Sequence, residues 1–142
     1  MRSVRPAVLL TALLIAALSQ VRTVRADETC PGEAEGFRRL ESDLLKVVFR
    51  WEPTELKVGQ FFALEVVDCT PSAGPAERIA IDATMPAHGH GMNYRPASQR
   101  VAAGHYRFTG LMLHMPGTWR FTFRLITGDI GIVLEQDVDL KR

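Results

Sequence analysis

Thr118 to Leu140 reads TWRFTFRLITGDIGIVLEQDVDL, and this stretch sets the fold class. From Thr118 to Ile126 the residues alternate, with Trp119, Phe121, Phe123 and Leu125 on one face and Arg120, Thr122 and Arg124 on the other. A period of two is the mark of a strand with one buried face. Thr127-Gly128-Asp129 turns the chain. Ile130 to Leu140 then alternates again, with Ile130, Ile132, Leu134, Val138 and Leu140 inward and Glu135, Asp137 and Asp139 outward.

Working outward, the same pattern recurs. His105 to Leu113 (HYRFTGLML) lies between turns at Gly104 and at Met115-Pro116-Gly117, and Gln99 to Ala102 precedes it. Arg78 to Met85 (RIAIDATM) faces Ile79, Ile81 and Ala83 inward, and Pro86 stops it because proline cannot donate to a ladder. Phe61 to Cys69 (FFALEVVDC) puts Phe62, Leu64 and Val66 on one face, and Val47 to Trp51 is β-branched and aromatic. About seven short strands with no long amphipathic helix between them predict an all-β fold, an immunoglobulin-like β-sandwich. The domain is expected over residues 46–142. Residues 27–45 form a lead-in, polar as far as Gly36, with a helical turn or two over Phe37 to Leu45.

Residues 1–26 read as a signal peptide. Arg2 and Arg5 precede an apolar run, Ala7 to Leu18, and Val24-Arg25-Ala26 offers small residues to a signal peptidase. The run is too short for a spanning helix, which needs about 20 apolar residues. No membrane span is therefore expected after cleavage, and the protein is expected to be periplasmic or secreted. Cleavage removes four of the 17 basic residues and no acid, leaving 13 against 16 acidic residues, a net of −3. That balance gives no basic surface for nucleic acid.

Two cysteines, Cys30 and Cys69, remain. In an oxidising compartment they most simply form one disulfide. It would close a loop of about 40 residues, worth about 3–4 kcal/mol in the chain-entropy model. Copper or redox chemistry at the thiols is the other reading, and no CxxC supports it.

Histidine and methionine are concentrated. All four histidines, and every methionine but the initiator, lie between Met85 and Met115. One cluster is Met85-Pro86-Ala87-His88-Gly89-His90-Gly91-Met92, and the other is Met112-Leu113-His114-Met115-Pro116-Gly117. His88 and His90 are two apart, so in an extended loop both rings point the same way. A sandwich can bring both loops to one end. Imidazole with thioether is a soft to borderline donor set that favours copper, Cu(I) above all, and neither cluster holds a carboxylate for a hard ion. The expected metal set is His88, His90 and His114 with Met85, Met92 or Met115; Met112 is expected on the far side of its strand. The same residues also read as packing, with methionine as core filler and the histidines tying the glycine loop. Catalytic signatures are lacking: Ser72 and Ser98 have no Gly-x-Ser-x-Gly setting, and no phosphate-cradling glycine motif is present.

DATMPAHGHGMN (residues 82–93), GHYRFTGL (104–111) and HMPGTW (114–119) together resemble the YtkA-like family of exported β-sandwich domains, itself similar in pattern to FixH-like proteins of cytochrome oxidase assembly. The resemblance covers about Trp51 to Leu140. It implies a non-enzymatic exported domain, with a copper exporter or metallochaperone as partner, because some relatives sit within copper-handling systems. FixH-like proteins carry a membrane helix, whereas the hydrophobic segment here is the signal. The alternative is an interaction module or accessory subunit whose Met/His loops are structural.

Overall fold

A computed structural model describes residues 30–70 and 74–141. The signal sequence read at residues 1–26 lies outside these. Nine strands occur among these residues, in order: β1 (Arg38–Glu41), β2 (Lys46–Glu52), β3 (Phe61–Asp68), β4 (Arg78–Met85), β5 (His90–Gly91), β6 (Ala97–Ala102), β7 (His105–Met112), β8 (Gly117–Thr127) and β9 (Ile130–Leu140). One sheet runs β1-β2-β3-β7-β6 and the other β5-β4-β8-β9, and every pairing is antiparallel. With β2, β3, β7 and β6 standing for A, B, E and D, and β4, β8 and β9 for C, F and G, this is the immunoglobulin-like order.

The inward faces are those the alternation predicts. Phe62, Leu64 and Val66 of β3, Ile79, Ile81 and Ala83 of β4, and Trp119, Phe121, Phe123 and Leu125 of β8 are all buried. They meet Val47, Phe49 and Trp51 of β2 in a core rich in aromatic contacts, Phe49–Phe123 at 5.0 Å and Trp51–Phe121 at 4.8 Å between ring centroids. Cys30 and Cys69 are bonded, with Cα atoms 5.9 Å apart, which fastens the lead-in to the end of β3.

Three expectations are corrected. Phe37 to Leu45 is not helical: β1 pairs Arg38 with Phe49 and Glu41 with Lys46. The free edge of β2 offers this short segment a ladder of backbone partners, which a lone helical turn lacks. Phe37 is buried, with the Arg50 guanidinium 4.7 Å over its ring. Among the described residues the strands number nine and not about seven, because β1 and the two-residue β5 extend the edges beyond the seven expected ones. Ile130 does not face inward but is 65% exposed. It pairs with Thr127 where the hairpin turns.

Face assignment along β7 depends on one glycine. Phe62 pairs with Leu111 but Leu64 with Phe108, so β7 carries one extra residue there. Gly110 absorbs it at φ +77°, a bulge conformation that glycine adopts without strain. Tyr106 and Phe108 face inward before the bulge, and Leu111 and Leu113 after it. Met112 is turned outward, opposite Phe61.

The outer face of the five-stranded sheet is tied by charge. Glu65 accepts from Arg50 Nε at 2.7 Å and lies 2.6 Å from His105 Nε2. Glu52 takes a hydrogen bond from Arg107. That bond, with the nearby charges of Arg107 and Arg50, holds the Glu52 carboxyl below the usual carboxylate range.

Candidate metal centre

The first Met/His cluster joins β4 to β5 within one sheet, and the second crosses from the end of β7 in the other sheet to the start of β8. Met85 closes β4, and a four-residue turn leads to His90, which pairs back with Met85. The amides of His88 and Gly89 both donate to the Met85 carbonyl at 3.0 Å. This closure needs φ +67° at Gly89, a region that side chains with a Cβ enter at a cost. Gly91 lies against β4, where an added Cβ would stand 3.3 Å from the Ala83 carbonyl. The loop is thus a tight hairpin turn, not an extended segment, yet the two rings still face a common space, 5.8 Å apart and tilted by 39°.

The second cluster lies between β7 and β8. Its backbone is pinned by Trp119, whose indole N–H donates to the Met115 carbonyl at 2.9 Å. Trp119 is fully buried and forms the floor of the site. Its ring stands edge-on to both His114, at 5.4 Å, and His90, at 6.2 Å. The His90 and His114 rings lie 5.2 Å apart, tilted by 28°.

The three imidazoles therefore form a row with His90 in the middle. His88 is exposed, while His90 and His114 are half-buried. His114 Nδ1 is itself buried and has no hydrogen-bond partner among the described residues. An unsatisfied buried polar atom costs about 1–3 kcal/mol. No group of three His, Cys, Asp or Glu side chains among the described residues is arranged to hold a metal, which agrees with a row and not a ring of nitrogens. Met92 and Met115 are half-buried at the rim of the core. Met85 is 2% exposed and belongs to the core. His105, which the sequence reading left out of the site, is occupied with Glu65 at the other end of β7.

No protein-family model matches the sequence, and no curated protein matches it. The fold does match a solved structure. A DUF4426 family protein from Pseudomonas aeruginosa PAO1 superposes with a TM-score of 0.53, over 75% of this chain and 95% of that one, at 16% identity. This chain shares its fold. At that identity the likeness is one of architecture, a small β-rich domain.

Trp119 is the residue whose place in the site the sequence reading missed, because its position in an alternating strand marks it as core. The available signal was the spacing HMPGTW, which brings an indole four residues after Met115 across a glycine turn. Gly117 makes that turn at φ +126°, and an added Cβ would come within 2.5 Å of the Met85 methyl. The two clusters thus touch through Met85 and Gly117. Gly117→Ala is expected to destabilise the protein by about 1–3 kcal/mol through backbone strain and displacement of Met85. Thermal unfolding of the metal-free variant checks this, and an unchanged melting temperature would refute it.

Proposed function

We propose that the protein is an exported, non-enzymatic YtkA-like domain that binds copper, as Cu(I), between the two Met/His loops for trafficking or resistance. The observation that carries this reading is the buried, unpartnered His114 Nδ1 next to a second half-buried imidazole, His90, at 5.2 Å. A ring nitrogen left without a hydrogen-bond partner among the described residues is suited to a metal. The donors at hand, two imidazoles with Met92 or Met115, match a soft ion better than zinc, calcium or magnesium. Met85, enclosed in the core, supports the loop from beneath. The Cys30–Cys69 disulfide supports an oxidising compartment, and no helix among the described residues is long and apolar enough to cross a membrane.

A second reading has its own support. The Trp119–Met115 hydrogen bond and the packing of both rings on Trp119 would hold these loops without metal, as in an interaction module with structural loops.

Titration of the purified domain with Cu(I) and with Cu(II), against a competing chelator, separates the two readings. One Cu(I) per chain, with Cu(II) bound more weakly, is expected. Affinity no greater than that of an unrelated histidine-containing protein would leave the interaction-module reading.

A further inference from the structure

The row of imidazoles is graded. His88 is exposed and has no indole contact like those of the other two. His90 is half-buried and touches the edge of Trp119, and His114 touches it more closely and carries the buried, unpartnered Nδ1. Neighbouring rings stand 5.8 and 5.2 Å apart. A bond from imidazole to a metal such as zinc is about 2.0–2.1 Å, so each ring centroid lies about 3.2 Å from the ion and two rings sharing it lie about 5–6.5 Å apart. Each neighbouring pair therefore has the spacing of a bent two-nitrogen site, while no three such groups among the described residues are arranged to act together. Linear two-coordinate Cu(I) would hold the centroids about 6.4 Å apart, so these shorter spacings fit bent pairs completed by a thioether such as Met92 or Met115.

Resting on the copper reading above, we propose that His88, His90 and His114 form a loading path, an outer pair that captures Cu(I) from solvent and an inner pair that stores it, with His90 common to both. Transfer is ligand exchange. The copper–nitrogen bond to His88 breaks as the bond to His114 forms, and the His90 bond is kept. Copper stays Cu(I), no electron moves, and any imidazolium proton is released to solvent when its nitrogen binds. The inner pair is favoured because it fills the vacant hydrogen-bonding capacity of His114 and is shielded from competing water. Trp119 makes the second step visible, since it contacts the inner pair but not His88.

The test is anaerobic stopped-flow loading of the disulfide-intact domain, carrying Trp51→Phe so that Trp119 is the fluorophore, from a Cu(I)–chelator complex, followed by quenching of Trp119 fluorescence. His88→Ala is expected to slow loading about tenfold, a barrier increase of about 1.4 kcal/mol, while equilibrium affinity changes by less than about threefold. His114→Ala is expected to abolish the quench and lower affinity more than about 100-fold. His88→Ala alone decides the question if His114→Ala fails to fold, because His88 is exposed in the turn. Unchanged loading by His88→Ala overturns the path. Equal affinity losses in the two variants overturn it in favour of a single cage. Wild type that takes up no Cu(I) overturns the copper reading and the path with it, an outcome distinct from the other two.

Discussion

Phe121→Ala is expected to lower the unfolding free energy by about 3–5 kcal/mol, the range for deleting a fully buried aromatic ring. Phe121 is 0% exposed. It lies on β8 between Ala83 of β4 and Gln136 of β9, and its ring faces Trp51 at 4.8 Å and Phe62 at 6.2 Å, both from the other sheet. It therefore joins the two layers, and neither sheet can move in to fill the space without losing its own pairing. Domains of this kind hold about 5–15 kcal/mol in total, so the loss removes between about a fifth and all of it. Denaturant unfolding of wild type and variant measures the loss. Equal midpoints would show that Phe121 does not face the core and that the register of β8 is wrong by one residue.

The second large effect concerns affinity. His90→Ala removes the imidazole common to both pairs. Even residues that only steady a metal ligand are worth about 10–100-fold in affinity, so loss of a shared ligand is expected to lower Cu(I) affinity by more than about 100-fold. The metal-free variant should unfold within about 1 kcal/mol of wild type, because a half-buried ring at a loop edge carries little folding energy. The structural reading of the loops predicts the reverse: an unfolding free energy lowered by more than about 1 kcal/mol in the absence of metal, with copper irrelevant to either protein. Chelator competition together with urea unfolding of the same two samples distinguishes these outcomes.

The inward faces of the long strands are legible in the chain alone. Residues 118–126 and 78–85 alternate so that burying the wrong face would place Arg120, Arg124 or Asp82 in the core, and in the more uniformly apolar 61–69 Glu65 alone marks the outer face, so the register follows from that cost. The placing of the histidines and methionines at strand ends is legible there too, since the glycines and prolines that bound those strands are visible in the chain. Tertiary structure decided what local pattern leaves open. Residues 38–41 became a strand because the edge of β2 was free to receive them, a fact no local propensity carries. Ile130 kept its apolar side chain in solvent at the tip of the β8–β9 hairpin, a place its alternation does not reveal. Gly110 reversed the faces of β7 through a bulge whose need arises only from pairing with β3. Trp119, indistinguishable in sequence from its buried neighbours Phe121 and Phe123, became the floor beneath His90 and His114 because β8 begins where β4 ends, side by side in one sheet. Whether residues twenty or more positions apart share a site is set by which strands pair, and that pairing is a property of the whole core.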